Sequence, residues 1–244
     1  MLAEALRGYN VTLFAYGQTG SGKTHTMEGD LSSINGTFAP DAGLIPRILY
    51  ALFHTLNKTG ADFSVSCSYL EIYNEQLRDL ASNDNADHDA VLRIVEDKNT
   101  GSTAVQGLET VQIRSAEDGV NVLRRGSQRR MTAATLCNDS SSRSHAVFTI
   151  NLAVHDHGES GTEDVVRIGK INLVDLAGSE NVKRSGAQGA EARETSNINT
   201  SLLALGRVIN CLAERKSETL HIPYRFVQPN SPWLRPLTAR SQRV

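Results

Sequence analysis

Eight residues near the start of the chain, GQTGSGKT (Gly17–Thr24), constrain its fold more than any other stretch. They fit G-x-x-x-x-G-K-[ST], a phosphate-binding loop whose glycines let the backbone close around an anion with successive N–H groups pointing inward. In such a loop Lys23 reaches the β- and γ-phosphates, and the Thr24 hydroxyl ligates Mg²⁺. A helix beginning at about Lys23 adds its positive N-terminal dipole. A glycine-rich turn before a helix is the plainer reading, but the context argues against it. TLFAY (Thr12–Tyr16) reads as a short buried strand and THTM continues the helix, which makes the strand–loop–helix that the motif requires.

The 244 residues, 39% of them hydrophobic, suffice for one sizeable core. With a net charge of −2, global electrostatics steer the chain to neither nucleic acid nor membrane, so a polyanionic partner must be met by a local patch. Cys67, Cys137 and Cys211 are far apart and read as reduced thiols of a cytosolic or nuclear protein. No apolar run approaches the roughly 18 residues of a membrane span. The segment MLAEALRGYN carries Glu4 and has no signal-peptide character.

Leu2 and Leu6 mark a short amphipathic helix before the first strand. Asp30 to Gly43 is polar and reads as a surface loop of roughly fourteen residues, long enough to be either functional or flexible. Pro46 then sits in the first turn of a helix with apolar Ile48, Leu49, Leu52, Phe53 and Leu56. FSVSCSYLEIY (Phe63–Tyr73) is predicted as a strand, NEQLRDL (Asn74–Leu80) as a short helix, and SNDNADHDA (Ser82–Ala90) as a loop. VLRIVED and TAVQGLE are short strand candidates. In SAEDGVNVLRRGSQRR, Ser115 precedes Asp118 by three residues, a helix N-terminal signature. HAVFTINLAVHDH (His145–His157) alternates as a strand. VVRIGKINLVDLAG (Val165–Gly178) is another, ending in the apolar run of a strand buried on both faces. Thr195 to Glu214 has helical spacing at Ile198, Leu202, Leu205, Val208, Ile209 and Leu212. After Arg225 the composition changes: FVQPNSPWLRPLTARSQRV holds three of the six prolines and the single tryptophan, and reads as an irregular tail.

Two motifs bear on chemistry beyond the glycine-rich loop. DLAG (Asp175–Gly178) ends the apolar strand. An aspartate there can hold Mg²⁺ through water, and the Gly178 N–H can sense a γ-phosphate. A GTPase would also fit this pair but carries N-K-x-D downstream of it; here the nearest match, NKTG (Asn57–Gly60), lies upstream and lacks the aspartate. NDSSSRSH (Asn138–His145) gathers four hydroxyls, an arginine and a histidine in one turn. On its own it reads as a solvated serine-rich loop; its hydroxyls can also ligate Mg²⁺ and its arginine can pair with a carboxylate.

Taken in order and spacing, GYNVTLFAYGQTGSGKTHTMEG, NDSSSRSHAVFTI, INLVDLAGSENVKRSGAQG and NINTSLLALGRVINCLAE with HIPYR resemble the motor domain of the kinesins across roughly residues 1–225. The NVKRSGAQGAEARE stretch and the long loop after TMEG look most like the BimC-type mitotic kinesins, which cross-link and slide spindle microtubules. The resemblance implies a three-layer α-β-α fold around a central mixed sheet. It implies a microtubule-stimulated ATPase at the cytoskeleton, with ATP and Mg²⁺ as ligands and tubulin as partner. Gly17, Gln18, Thr19, Gly20, Ser21, Gly22, Lys23 and Thr24, with Asn138, would hold the nucleotide. Thr24 and Ser142 would ligate Mg²⁺, with Asp175 behind a water. Residues 138–145 would form the first switch and 175–180 the second. Arg143 would pair with Glu180 in the ATP state, Ser141 and the Gly178 backbone would position the attacking water, and Glu180 would relay its proton. Lys183, Arg184 and the helix from about Asn197 to Glu214 would face the track; without the resemblance, Lys183 and Arg184 read as a solvated charge pair.

The chain departs from that pattern at both ends. The strand and the R-x-R-P segment that precede the loop in family motors have no counterpart, and after HIPYR the expected D-S-K-L-T-type segment gives way to residues 226–244. The expectation is therefore a partial motor domain over 1–225 and a divergent tail over 226–244, truncated at both ends, with no neck or oligomerisation region. Open sheet edges would follow, with uncovered apolar faces at TLFAY and INLVDLAG. A non-motile nucleotide-binding fragment and a non-folding product of a changed reading frame are the competing readings.

Overall fold

The computed structural model describes residues 1–34, 36–74, 76–82, 92–96, 103–136, 140–156, 165–180, 202–203 and 205–211. Helix α1 (Leu2–Leu6) leads into strand β1 (Asn10–Ala15), and the glycine-rich loop turns the chain into α2 (Lys23–Met27). A small hairpin of β2 (Ser33–Ile34) and β3 (Thr37–Phe38) precedes α3 (Leu44–Thr59). Then follow β4 (Asp62–Tyr73), β5 (Gln76–Asp79), β6 (Arg93–Glu96), β7 (Thr103–Gln106) and β8 (Val111–Ile113). Helix α4 (Ala116–Leu136), the single turn α5 (Ser140–Arg143), β9 (His145–Asp156) and β10 (Val165–Asp175) complete the labelled elements, and residues 205–211 are helical.

The central sheet runs β1-β10-β9-β4-β5, with β8 also paired to β4; β6 and β7 form a separate ribbon. Among the described strands of the central sheet only β1 and β10 run parallel, so it is mixed. Strand periodicity divides the side chains between two layers. On β9, Ala146, Phe148, Ile150, Leu152 and Val154 enter a core with Leu49, Leu52 and Leu56 of α3 and Val120 and Leu123 of α4. On the opposite face Val147, Leu70, Val174 and Leu176 pack against Leu202, Leu205 and Val208. Helices therefore cover both faces, giving the three-layer α-β-α architecture. A polar ladder crosses the second face: Thr149 Oγ1 donates to Asn172 Oδ1 (3.1 Å), and Asn172 Nδ2 donates to Thr12 Oγ1 (3.1 Å). It joins the side chains of β9, β10 and β1 across the pleat.

Helix α4 opens as Ser115 and Asp118 foretell. The Asp118 N–H donates to Ser115 Oγ (3.1 Å) and the Ser115 N–H to Asp118 Oδ2 (3.0 Å), satisfying N-terminal amides that the helix cannot pair. NKTG forms the C-terminal end of α3, where Gly60 takes the left-handed conformation (φ 65°) and stops the helix.

Three expectations change. NEQLRDL is not a helix: Asn74 adopts φ 45°, Tyr73 pairs with Gln76, and β5 returns along β4. Its helical composition yields to the unpaired edge that β4 presents. Asp30 to Gly43 is not an irregular loop. It carries the β2–β3 hairpin, a bridge between Gly29 and Ala42, and an Arg47 guanidinium that holds the Ala42 and Pro40 carbonyls at 2.8 and 2.6 Å. Phe38 packs edge-on to Tyr50, under that same guanidinium. INLVDLAG is not uncovered either: Ile171, Leu173, Val174, Leu176 and Ala177 are all buried. Strand β10 lies between β1 and β9, with α1 and α2 packed on it and residues 202–208 over its other face. Thr12 to Ala15 of TLFAY are half-buried, and Tyr16 is exposed. Residues 83–90 and the tail 226–244 lie outside the described residues.

The packing leaves α4 no clearance at Gly126, where an added Cβ would meet the Tyr69 ring, with the Leu80 carbonyl 3.1 Å away. Gly126→Ala is expected to lower stability by about 1–3 kcal/mol through overpacking, read as a shift in the denaturant midpoint without a change in slope. An unchanged midpoint would contradict this close approach.

Candidate nucleotide site

Strand β1 delivers the chain to Gly17, and the loop to Thr24 turns on glycines with left-handed backbones at Gly20 (φ 78°) and Gly22 (φ 90°). Gly22 is the residue before α2, so the first amides of α2 point into the loop, as an anion requires. Lys23 Nζ donates to the Gln18 carbonyl (2.9 Å), which holds the ammonium across the loop mouth.

The parallel register of β1 with β10 sets Ala15 beside Asp175. Both strands thus end at one edge of the sheet, and the loops that follow them face each other. Thr24 Oγ1 donates to Asp175 Oδ2 (2.7 Å). The next segment, 176–180, is held by main-chain bonds on two sides. The Gly178 N–H donates to the Ser142 carbonyl of α5 (2.7 Å), and the Ser179 N–H to the Gly17 carbonyl (3.1 Å). Glu180 then grips the glycine-rich loop, accepting from the Thr19 N–H (3.0 Å) and from Thr19 Oγ1 (2.6 Å). Partial burial works against a charge on Glu180, but the two Thr19 bonds and the nearby Lys23 ammonium outweigh it and hold the carboxyl below its usual range. A Cβ at Gly178 would fall on the Glu180 carboxylate and the Thr19 hydroxyl, so the segment closes this tightly only around glycine.

Behind Asp175 lies a buried polar network that the motif reading does not contain. Arg130 Nη1 donates to Asp175 Oδ2 (2.7 Å), with both side chains about 5% exposed. The same guanidinium donates to Ser144 Oγ (3.3 Å) and the Ser144 carbonyl (3.2 Å), and its Nε lies 3.9 Å from Glu71 Oε1. Arg78 approaches Glu71 at 3.7 Å. Glu28, one residue after α2, accepts from Tyr69 Oη (2.8 Å) and Ser127 Oγ (2.6 Å). Burial raises the Glu28 pKa against the lowering effect of those two bonds and the positive charge of Arg130. A sequence signal for Arg130 exists. Ala116, Val120, Leu123, Ser127 and Arg130 fall on one stripe of α4, and a charge on a buried stripe needs a buried partner.

His145, at the start of β9, accepts from the Ala177 N–H at Nδ1 (3.1 Å). Burial, reinforced by the Arg130 charge, pushes its pKa down to about 4.

The sequence-derived candidates divide accordingly. Gly17 to Thr24, Asp175, Gly178 and Glu180 converge on one edge of the sheet. Ser142 and Arg143 lie in α5 against that edge, Ser142 through its carbonyl, and the Ser141 backbone lies in the same turn. Asn138, Lys183 and Arg184 lie outside the described residues, as does half of the 197–214 helix.

A divalent cation fits this donor set on one local observation. Asp175 Oδ1 is buried with no hydrogen-bond partner, beside a Thr24 hydroxyl already bound to Oδ2. A carboxylate oxygen in that condition is poised for a metal-bound water.

Comparison with known proteins decides the family. A model of the kinesin motor domain matches residues 1–228. This chain belongs to the kinesins. It is 49% identical over 239 residues to kinesin-like protein cut7 of Schizosaccharomyces pombe, a match covering 92% of this chain and 21% of that protein. Against kinesin-like protein bimC of Emericella nidulans it is 51% identical over 228 residues, covering 92% of this chain and 18% of the relative. The kinesin chain thus spans about a fifth of the length of these curated relatives. The solved structure of a fast kinesin superposes with a TM-score of 0.76 at 40% identity, covering 95% of this chain and 62% of that one. The resemblance to BimC-type mitotic kinesins holds in these two curated relatives.

The sign of the His145 effect follows from its lowered pKa. The unfolded imidazole takes up a proton below about 6.5, while the folded one stays neutral to about 4. Its contribution to stability is complete above that window and is lost as pH falls through it. About 2 kcal/mol of the stability lost between pH 7 and pH 5 is expected to vanish in His145→Gln, measured by denaturant unfolding of both proteins at both pH values. Parallel losses in the two proteins would contradict a neutral buried imidazole.

Proposed function

We propose that this chain binds and hydrolyses Mg·ATP as a motor domain acting on microtubules, with the domain running over residues 1–225. The observation that carries the reading is the double stitch between the glycine-rich loop and the end of β10: Thr24 to Asp175, and Thr19 to Glu180. A loop built to hold phosphates is thereby fastened to the segment placed to sense the terminal one.

In this reading the amides of Gly17 to Thr24 take the phosphates and Lys23 leaves the Gln18 carbonyl to reach the β- and γ-groups. Thr24, Ser142 and Asp175 (through water) hold Mg²⁺, and Asn138 contributes to the nucleotide contacts. When bound, the cation neutralises charge that develops on the phosphate oxygens. Ser141 and the Gly178 N–H position the attacking water, and Glu180 relays its proton. For Gly178 to serve, its N–H turns from the Ser142 carbonyl toward the γ-phosphate. For Glu180 to serve, its carboxylate exchanges Thr19 for Arg143. The first exchange replaces a neutral hydrogen bond with a charge-assisted one and the second gives the Glu180 carboxylate a cationic partner, which supplies a two-state element governed by the γ-phosphate. Phosphoryl transfer asks chiefly for such positioning and charge neutralisation.

Lys183, Arg184 and the 197–214 helix supply the local basic and helical surface toward the acidic track. Leu202, Leu205 and Val208 support this assignment, because they pack directly on Val174 and Leu176, next to the sensing segment. The setting proposed for this activity is the cytoskeleton, on spindle microtubules.

A thermal unfolding scan tests the nucleotide reading. Mg·ATP at about a hundred times its dissociation constant is expected to add roughly 2.7 kcal/mol to the folded state, and Lys23→Ala to abolish the gain. No ligand-dependent shift in the parent chain would overturn the reading. Microtubule-stimulated phosphate release is expected to fall by orders of magnitude in Glu180→Ala; release at the parent rate would remove Glu180 from the mechanism.

A further inference from the structure

We infer that the groove between β8 and the first turns of α4 binds a small organic carboxylate, with its apolar body on a floor of aliphatic side chains and its anionic head at Asn121 and Arg125. The site uses none of the residues of the nucleotide reading and stands without it.

The shape comes first. The groove holds about 440 Å³, within the range of roughly 300–1,000 Å³ that small-molecule sites occupy. Val111 and Ile113 alternate onto the face of β8 that meets α4, and Val122 meets them from the helix. Ile113 and Val122 are buried, so this floor is dry. Asp118, Asn121, Val122 and Arg125 share one face of α4, turned away from Ser127 and its bond to Glu28. Strand β8 has only 3 residues, a ladder of about 10 Å. An extended peptide adding to that edge would find few main-chain partners, so the groove suits a compact occupant.

The rim decides the charge. Asn121 Oδ1 already accepts from Arg124 Nη1, which leaves the amide NH₂ as the group that Asn121 presents. Arg124 is drawn off to the Leu31 carbonyl (2.6 Å) and takes no part. Arg125 brings a guanidinium to the same wall. Asp118, the acid in the lining, spends Oδ2 on the Arg114 and Ser115 N–H groups (2.9 and 3.0 Å), where the helix N-terminus offsets its charge. A carboxylate satisfies such donors, whereas an ammonium would meet Arg125 as a like charge.

The charges at the rim act through the floor. Cys67 pairs with Val111 and is fully buried. Burial pushes its thiol up to about 12, while the Arg125 charge pulls it down and Asp118 pushes it up. Screening by water is weak across this floor, so an ion pair with Arg125 gains more here than on open surface.

The test is a titration of octanoate, below its micellar range, into the isotope-labelled full chain, followed by methyl chemical shifts. Octanol and octylamine serve as the neutral and cationic matches. Saturable shifts are expected at Val111, Ile113 and Val122, with octanoate bound about tenfold more tightly than octanol and octylamine more weakly than either. Arg125→Gln is expected to weaken octanoate about tenfold and leave octanol unchanged. Asn121→Ala is expected to weaken octanoate about threefold, and it serves if the glutamine variant does not fold. Octanol or octylamine binding as tightly as octanoate would overturn the inference, because the rim would then select no charge. Parent-like octanoate affinity in the folded variants would overturn it as well. So would the absence of saturable shifts, or shifts confined to methyls elsewhere.

Discussion

The ion pair between Arg130 and Asp175 is the constraint around which the rest of the site is arranged. Two charges some 95% removed from solvent need further polar partners to offset their desolvation. Here that requirement recruits residues from across the chain: Ser144 from the turn before β9, Glu71 from β4, and Thr24 from the first turn of α2. Its effect is orientation more than stability. Helix α4, strand β10 and the glycine-rich loop are brought to one point by chemistry, where apolar packing alone would tolerate sliding.

The two faces of β10 then divide the labour. Ile171 and Leu173 join the core shared with α3 and α4, which is deep and includes the largest buried side chains. Val174 and Leu176 join a smaller cluster with residues 202–208. The strand that ends in Asp175 is rigid on one side and coupled on the other to a helix near the proposed track surface. A change at residues 176–180 has a short packed route to that helix, through side chains in direct contact.

Much of this is legible in the sequence. The spacing of glycines, lysine and threonine in 17–24 placed the loop and α2, because a phosphate cradle tolerates few alternatives. The apolar run of INLV located a doubly covered strand, and the Ser115–Asp118 pair located the start of α4. NEQLRDL misleads because its residues are good local helix formers, whereas β4 offers it a hydrogen-bonding edge only as part of a sheet whose next strand, β9, lies far along the chain. The hairpin within 30–43 was hidden because two-residue strands carry no periodicity. Arg130, Glu28 and Glu71 escaped for a related reason. A motif describes residues that touch the ligand, while these act on residues that do, from positions distant in sequence. Only Arg130 left a trace, as a cation on the buried stripe of α4.

The six-residue register of β1 on β10 has one more consequence. Because side chains alternate, a slip of a single residue would carry Asp175 to the opposite face of the sheet and put Val174 in its place. No intermediate alignment gives a half-placed aspartate. A population of these molecules is therefore counted in wholes: each chain either carries the proposed metal-facing carboxylate complete or not at all, and a reduced binding capacity would report how many molecules folded in register, with the affinity of those that did left intact.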